Sequence, residues 1–229
     1  MKRYAVIVAG GSGTRVGGEI PKQFRRLNRR PMLWWSLKAF HDEDPSTEII
    51  VVLPEAYIAL WEAYINELPE DERIPHSITA GGTTRKESVE RGLMLTDDSD
   101  SLIAVHDGAR PLVGRSIIAR GWEKALECGA AIPVIPVTDS LRKLDESGSH
   151  AVDRSAYVAV QTPQVFSGPL LKEAYANSGT GSFTDDASVV EHYGHKISIF
   201  EGSDGNFKVT NPKDLAIAEL MMTESEMSE

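Results

Sequence analysis

The feature that most constrains the fold is a regular alternation of short apolar, β-branched runs with longer segments of helical pattern. Several of the apolar runs are continuous, as in strands that are covered on both faces. This alternation implies an α/β, Rossmann-like fold, in which helices flank a mostly parallel sheet joined by right-handed crossovers. The predicted strands are residues 4–9, 48–53, 77–79, 102–106, 131–137 and 196–200.

The segments between these strands predict helices, and two of the predicted helices have recognisable starts. Thr84 and Glu87 have the spacing of a capping box. Asn211 is a good N-cap, with Pro212 at the first helical position. The predicted helices are residues 31–41, 55–67, 84–95, 116–127, 169–177, 185–193 and 212–222.

One stretch breaks this rhythm. Residues 139–156 contain two short extended pieces, 141–144 and 151–153, around the turn-like sequence Glu146-Ser147-Gly148-Ser149. We interpret them as a β-hairpin arm, at about residues 138–157, that projects from the domain. A chain of 229 residues suits one domain, so we assign residues 1–229 to a single domain that carries this arm.

The charge distribution suggests a local site for anions. The net charge of −10 argues against a nucleic-acid surface, yet residues 1–40 hold nine Lys and Arg and one acidic residue, Glu19. No apolar run approaches the roughly 20 residues that cross a membrane. The single cysteine, Cys128, excludes an intramolecular disulfide and fits a reducing, cytoplasmic location.

A glycine loop follows the first predicted strand, with the sequence Gly10-Gly11-Ser12-Gly13-Thr14-Arg15. Such a loop brings backbone N–H groups close to phosphates. A dinucleotide fingerprint fails at Val16, and a Walker A motif fails because Glu19 and Ile20 replace Lys and Ser/Thr. What remains is a glycine loop with two cations beyond it, Arg15 and Lys22. Two cations beside a phosphate cradle suit a polyphosphate whose charge rises during reaction, whereas the glycines alone could equally form an ordinary βα turn.

A second motif, running from His106 to Pro111, ends a predicted strand where open α/β sheets bind ligands. Asp107 can hold a metal-bound substrate or accept from a hydroxyl, and Arg110 can pair with a phosphate. We interpret His106 as a histidine hydrogen-bonded within the sheet edge rather than as a general base.

A third motif, residues 81–89, follows a strand and opens a helix. Beyond its N-cap it could recognise a base through loop backbone and through Ser88.

Together with later segments, these motifs resemble the 2-C-methyl-D-erythritol 4-phosphate cytidylyltransferase family over residues 4–222. The motifs occur in the family's order, and several ordered matches are far more specific than one glycine loop. The segments that complete the resemblance are Asp153-Arg154, Thr162-Pro163-Gln164, Thr184-Asp185-Asp186-Ala187-Ser188 and Lys208-Val209-Thr210.

The resemblance implies a nucleotidyltransferase-type fold and transfer of the cytidylyl group of CTP to methylerythritol phosphate. Arg15 and Lys22 would stabilise the transition state. It also implies Mg²⁺ or another divalent cation, held mainly by the CTP phosphates with Asp107 as a possible ligand. It further implies a homodimer formed through the arm, so that Arg154 could serve the partner's site. The acceptor-binding residues it implies are Asp107, Arg110, Ser140, Arg154, Thr184 and Lys208. The nucleotide-binding residues it implies are Ala9, Gly10, Gly11, Gly13, Gly82 and Ser88.

This sequence departs from the family pattern at two of these places. Ser140 replaces a threonine and keeps the hydroxyl. Thr83 stands where an acidic residue often follows the two glycines, which puts a side-chain contact there in doubt.

The chemistry agrees with the resemblance. A phosphomonoester has a second pKa near ~6 and is mostly dianionic at pH 7, so it needs no activating triad. Catalysis should therefore rest on positioning and on electrostatic stabilisation. Two alternatives remain open: a ribitol-5-phosphate cytidylyltransferase, and a non-catalytic nucleotide-binding regulatory protein on the same fold.

Overall fold

A computed structural model of the chain describes residues 1–10, 21–97 and 100–226. Its centre is an eight-stranded sheet in the order β10-β7-β11-β6-β1-β4-β5, with β12 paired to β7, beside two small two-stranded hairpins. The strands are β1 (Lys2–Val8), β2 (Arg26–Leu27), β3 (Arg30–Pro31), β4 (Glu48–Leu53), β5 (Ser77–Ala80), β6 (Ser101–Asp107), β7 (Ala130–Pro136), β8 (Arg142–Asp145), β9 (Gly148–Ala151), β10 (Val158–Val160), β11 (Gln164–Ser167) and β12 (Ser198–Glu201).

The helices fall where the sequence pattern predicts them, apart from shifts of a few residues at their ends. They are α1 (Met32–Glu43), α2 (Ile58–Glu67), α3 (Arg85–Leu93), α4 (Arg115–Cys128), α5 (Gly168–Ala176), α6 (Asp186–His192) and α7 (Pro212–Glu226). Among the described residues, no helix is long and apolar enough to cross a bilayer.

Half of the sheet is parallel, as predicted. Strand β1 lies between β4 and β6, and β5 extends the sheet beyond β4. In this register Val8 pairs with both Val52 and Asp107. Parallel strands end at the same edge, so the segments that follow β1, β4, β5 and β6 meet there.

The other half is mixed, which the sequence did not predict. Strand β11 runs antiparallel to both β6 and β7, and β10 runs antiparallel to β7. Both strands are short, and the segment Gln161-Thr162-Pro163 separates them. An antiparallel strand starts where its neighbour ends, and Gln164 accordingly pairs with Val105 near the end of β6.

Two of the predicted helix caps are present. The hydroxyl of Thr84 accepts from the N–H of Glu87 at 3.1 Å, while the Glu87 carboxylate accepts from the N–H of Thr83 rather than completing a capping box. At α7, the side-chain oxygen of Asn211 accepts from the N–H of Asp214 at 3.1 Å.

The predicted arm is a hairpin of β8 and β9, but its second strand was placed too late in the chain. Asp145 pairs with Gly148, so only Glu146 and Ser147 form the turn, and β9 ends at Ala151. Gly148 has a φ of 123°, a conformation that glycine adopts without strain. The chain therefore reverses direction over two residues, whereas the sequence pattern predicted a turn of four residues, 146–149.

The core lies on both faces of the sheet. On one face, side chains of α1, α2 and α4 pack against β1, β4 and β6, with Trp61 and Trp122 fully buried. On the other face, α3, α5 and α6 pack against the same sheet around Phe166 and Tyr4. Burial of both faces explains the continuous apolar runs, and it leaves the polar residues to collect at the strand ends.

Candidate functional site

A cavity of about 470 Å³ lies at the carboxyl edge of the parallel strands. It is bounded by the end of β1, the loop after β5, the end of β6 and the segment before α7. The predicted site residues that line it are Ala9, Gly10, Lys22, Gly82, Ser88, Asp107 and Lys208.

Lys22 reaches the cavity from a short 3-10 helix, Lys22–Phe24, that is anchored to the sheet on both sides. The next residue, Gln23, is buried, and its Nε2 donates to the carbonyl oxygen of Ala9 at 2.8 Å. The Nζ of Lys22 donates to the carbonyl oxygen of Val209 at 2.8 Å. These contacts place the lysine ammonium between the end of β1 and the Lys208 segment.

Asp107 lies among three cations. Its Oδ2 is 2.9 Å from the Nζ of Lys208 and 3.6 Å from the Nε of Arg110, and its Oδ1 is 3.5 Å from the Nε of Arg85. Burial by itself would raise the pKa of this carboxyl, but Arg85, Lys208 and Arg110 together lower the pKa well below its ordinary value. Asp107 is therefore an anion that fixes the cations around it.

His106 is fully buried in β6 and is held on both ring nitrogens, as the sequence interpretation expected. Nε2 lies 3.1 Å from the carbonyl oxygen of Arg110, which can only accept, so Nε2 carries the proton. Nδ1 then accepts from the Thr162 hydroxyl at 3.1 Å, and this hydroxyl accepts from the N–H of Asp107 at 3.0 Å. Burial lowers the pKa of His106 to about 4, so the ring is neutral and braces the turn after β6.

The loop after β5 is shaped by α3. The Oγ of Ser88 accepts from the N–H of Gly82 at 3.2 Å, and the guanidinium of Arg91 donates to the carbonyl oxygen of Gly81 at 2.7 Å. A Cβ on Gly82 would overlap the Cβ of Glu87, so only glycine fits there. Gly82 and Thr83 therefore line the cavity, and the N–H groups of both donate to side chains of α3.

The resemblance assigns Arg110 to the acceptor, and this role stays a prediction. Arg110 lies behind Asp107 rather than in the cavity lining, and its Nη1 donates to the carbonyl oxygen of Asn206 at 2.8 Å. Asn206 is fully buried, and its amide donates to the carbonyl oxygen of Thr162 at 2.8 Å. Arg110 thus joins the turn after β6 to the segment that carries Lys208.

Three other predicted acceptor residues lie away from the cavity within this one chain. Ser140 and Arg154 are exposed at the base of the arm, where the Arg154 guanidinium donates to the carbonyl oxygen of Thr138. Thr184 is exposed just before α6. Of the glycine loop, Gly11, Gly13 and Arg15 lie outside the described residues. The functional roles of all these residues stay predictions.

The structure adds site residues that the sequence reasoning did not select. Arg85 lines the cavity beside Asp107, Gln23 fixes the base of the Lys22 segment, and Thr162 supports both His106 and Asp107. Arg85 and Thr162 lie within motifs that the sequence singled out, and Gln23 directly follows Lys22. Their spatial partners were not visible, because each contact joins distant parts of the chain.

Comparison with known proteins places this site in a family. The family model described as "IspD: 2-C-methyl-D-erythritol 4-phosphate cytidylyltransferase" matches residues 4–224. Proteins named 2-C-methyl-D-erythritol 4-phosphate cytidylyltransferase from Phocaeicola vulgatus and Bacteroides fragilis are each 45% identical to this chain, covering 97% of it and 100% of their own lengths.

A solved structure agrees with these matches. The crystal structure of 2-C-methyl-D-erythritol 4-phosphate cytidylyltransferase from Thermus thermophilus superposes with a TM-score of 0.79 at 35% identity, covering 96% of this chain and 98% of that one. The family-model match, the curated relatives and the fold agree along nearly the whole chain. This protein therefore belongs to the 2-C-methyl-D-erythritol 4-phosphate cytidylyltransferase family.

Proposed function

We propose that this chain is an enzyme that transfers the cytidylyl group of CTP to 2-C-methyl-D-erythritol 4-phosphate. The products are 4-CDP-2-C-methyl-D-erythritol and pyrophosphate, in the non-mevalonate route to isoprenoid precursors. One observation carries the proposal beyond family membership. Lys22, Lys208 and the glycine-containing loop after β5 line a single cavity, so groups suited to phosphates and to a base face the same space.

The nucleotide fits the side of the cavity formed by β1 and the loop after β5. We assign the loop that contains Gly82, which Ser88 holds in place at the cavity, to the recognition of cytosine. Ala9 and Gly10 begin the glycine loop where the triphosphate would lie, next to the Lys22 ammonium. Arg15, in the same loop, is the second cation that we assign to the transition state.

The reaction is an in-line displacement. A phosphomonoester oxygen of the acceptor forms a bond to the α-phosphorus of CTP, and the bond from the α-phosphorus to the bridging oxygen breaks. Pyrophosphate leaves with that bonding electron pair. Because the attacking phosphate is already largely dianionic, the protein does not need to remove a proton from it.

Lys22 and Lys208 are assigned to different parts of this reaction. Two polyanions must approach each other, so cations that lower their repulsion and stabilise the charged transition state supply most of the catalysis. Lys22 faces the triphosphate side and would stabilise the α-phosphate. Lys208, held by Asp107, would position the acceptor phosphate for attack.

Mg²⁺ is part of the proposal. Proteins usually hold this ion by one or two carboxylates together with substrate phosphates, and Asp107 is a buried carboxylate beside the cavity. No cluster of three His, Cys, Asp or Glu side chains suited to a metal occurs in the part of the chain that the structure describes. The donor set therefore fits an ion held mainly by the CTP phosphates, where it would neutralise the charge of the leaving pyrophosphate.

The arm is the proposed dimer contact. Leu144 on β8 is 78% exposed, and Tyr157 and Val158, which follow the hairpin in sequence, are about half exposed. Exposed apolar side chains on and after a hairpin are suited to contact with a second copy of the chain. Ser140 and Arg154, at the base of the same arm, would then complete the partner's cavity. We place the enzyme in a reducing cytoplasm, where its single thiol, Cys128, stays reduced.

The decisive experiment measures pyrophosphate release from CTP and Mg²⁺ with two acceptors, methylerythritol phosphate and ribitol 5-phosphate. We expect a strong preference for methylerythritol phosphate in kcat/KM. A reversed preference would assign the chain to ribitol 5-phosphate instead. Tight CTP binding without pyrophosphate release for any polyol phosphate would show a non-catalytic nucleotide-binding protein.

A further inference from the structure

A connected series of polar and charged side chains runs from Tyr175 on α5 to the cavity. Asp186, at the start of α6, is fully buried. Its two carboxylate oxygens accept a bidentate pair of hydrogen bonds from the Arg85 guanidinium, at 2.9 and 2.7 Å. The Tyr175 hydroxyl donates to Oδ1 of the same carboxylate at 2.5 Å. Bidentate, charge-assisted pairs are strong and directional, so Asp186 fixes the plane of the Arg85 side chain.

Asp186 is itself held in place by the sheet. The side-chain oxygen of Gln164, on β11, accepts from the N–H groups of Asp186 and Ala187 at 3.0 and 2.9 Å. The amide nitrogen of Gln164 donates to the Asp185 carboxylate at 2.8 Å. The first turn of α6 is thus tied to a central strand, and Asp186 is a rigid support for whatever it binds.

The nitrogen atoms of Arg85 are divided between two carboxylates, those of Asp186 and Asp107. Both Nη atoms bind Asp186, so the fork that would clamp a phosphate is already occupied. The remaining Nε lies 3.5 Å from Oδ1 of Asp107. The other oxygen of Asp107 holds Lys208 at 2.9 Å. Arg85 and Lys208 therefore contact opposite oxygens of one carboxylate.

We propose that Asp186 is a positioning residue for the acceptor phosphate, acting through Arg85 and Asp107 on Lys208. By binding both Nη atoms of Arg85, Asp186 limits Arg85 to one contact with Asp107 and leaves Oδ2 of Asp107 to Lys208, with Arg110 at 3.6 Å from the same oxygen. This inference rests on the proposed function, because it assigns Lys208 to the acceptor.

The consequence of removing the Asp186 charge follows from burial. Arg85 lies largely inside the protein, and a buried charge that loses its partner has to find another. Without the Asp186 charge, the carboxylate that Arg85 already contacts is Asp107. The Nη atoms of Arg85 would then turn toward Asp107 and displace Lys208. In agreement with this coupling, burial raises the pKa of Asp107 but Arg85 is the foremost group that lowers it.

We expect the CTP-binding side of the cavity to be little affected by loss of the Asp186 charge. The bonds that shape the Gly82 loop come from Glu87, Ser88 and Arg91, whereas Asp186 binds Arg85, the first residue of the same helix α3. Loss of the Asp186 charge should therefore alter acceptor binding and leave CTP binding nearly intact. A general loss of folding would affect both substrates.

The test is Asp186→Asn in the full chain, assayed with CTP, Mg²⁺ and methylerythritol phosphate. By analogy with groups that orient active-site ligands, we expect kcat/KM for the acceptor to fall by about 10- to 100-fold. The CTP dissociation constant, measured by calorimetry, should change less than about threefold, consistent with small effects away from the altered contact. Wild-type values for the acceptor, or an equal loss for both substrates, would overturn the inference.

Ser188→Ala is the matched control. The Ser188 hydroxyl donates to the carbonyl oxygen of Asp185 at 2.8 Å, so the change weakens the first turn of α6 without touching Arg85. It should lower the Tm and leave both substrates near wild type. If Asp186→Asn does not fold, Arg85→Lys carries the same test, because it keeps the charge and loses the fork. An unchanged acceptor kcat/KM in Arg85→Lys would then reject the inference.

A crystal structure of Asp186→Asn separates this inference from the proposed function. Lys208 Nζ is expected to lie beyond about 4 Å from Asp107, the limit for an ion pair. If the wild-type protein releases no pyrophosphate with any acceptor, the proposed function fails while this distance still tests the coupling. If the wild type is active but the distance is unchanged, the coupling fails while the function stands.

Discussion

The Nζ of Lys22 donates a hydrogen bond of 2.8 Å to the carbonyl oxygen of Val209, although 187 residues separate the two in sequence. Val209 follows Lys208 directly, and its own N–H donates to the carbonyl oxygen of Ala109 at 2.8 Å. The lysine assigned to the transition state and the lysine assigned to the acceptor are therefore fixed to one short segment. With the proposed roles, this segment would set the distance between the transition-state side and the acceptor side of the reaction.

Lys22→Ala should depress turnover far more than nucleotide binding. Loss of one well-placed cation costs on the order of 10²–10³ in kcat, by analogy with oxyanion-hole donors. Steady-state kinetics and CTP calorimetry together measure the two effects. Lys124→Ala is the control, since Lys124 lies on α4 and pairs with Glu127 at 2.9 Å, and it should behave as wild type. A loss of CTP affinity with unchanged kcat would assign Lys22 to ground-state binding only.

Gly82→Ala should weaken CTP binding. The added Cβ would overlap the Cβ of Glu87, so the loop has to move away from the position that Ser88 supports. We expect the KM for CTP to rise roughly tenfold or more, which corresponds to the loss of one or two backbone hydrogen bonds. Gly114→Ala is the matched control, because its nearest neighbour would be the Ser116 Oγ at 3.8 Å. Equal KM values for CTP in the two variants would contradict a role of this loop in recognising the base.

His106 should contribute to stability and not to proton transfer. Burial lowers its pKa to about 4 from an unfolded value of 6.5, so between these values only the unfolded chain binds the proton. The stabilisation is complete above pH 6.5 and is lost as the pH falls toward 4. The loss amounts to about 3 kcal/mol for a shift of this size.

Urea unfolding of wild type and His106→Gln at several pH values measures this effect. The difference in unfolding free energy between the two should shrink as the pH falls from 7.5 to 4. His150→Gln, on the exposed arm, is the control and should leave the slope unchanged. A general base contributes about 10²–10⁴ in rate, so a kcat loss of that size in His106→Gln at pH 7.5 would contradict the structural role.

The arm is expected to serve the partner's cavity, which subunit mixing can test. Lys22→Ala and Arg154→Ala proteins should each be nearly inactive alone. If Arg154 acts across a dimer, mixed dimers contain one site with both residues intact, and activity returns on mixing under exchange conditions. If Arg154 acts within its own chain, every site in the mixture lacks one residue and no activity returns.

A second arm variant tests assembly itself. Leu144→Glu puts a charge on an apolar residue that is 78% exposed on β8, and it should shift the protein toward monomers in sedimentation. Leu126→Glu is the control, since Leu126 is 63% exposed on α4, away from the arm. A Leu144→Glu protein that sediments as the wild type does would argue against the arm as the dimer contact.

The sequence was most informative where local pattern decides structure. The apolar runs located the parallel strands β1, β4, β5 and β6, and Thr84 marked the start of α3. It was less informative for β10 and β11, which are short and separated by polar residues, and for the register of the arm. A strand of three or four residues obtains its stability from its neighbours, so its own sequence carries little signal.

For the site, the sequence by itself determined the chemistry and the order of the motifs. The glycine loop and Asp107 could be named because their residue types and positions suit phosphates and their counter-charges, whereas Lys208 was named through the family resemblance. Only the tertiary structure decided which of these groups meet. It brought Lys22 to Val209, put Arg110 behind Asp107 instead of in the cavity, and joined Arg85 to Asp186. Such contacts depend on how segments that are distant in sequence converge at one edge of the sheet. Residue type and spacing along the chain do not give the distance in space between those segments.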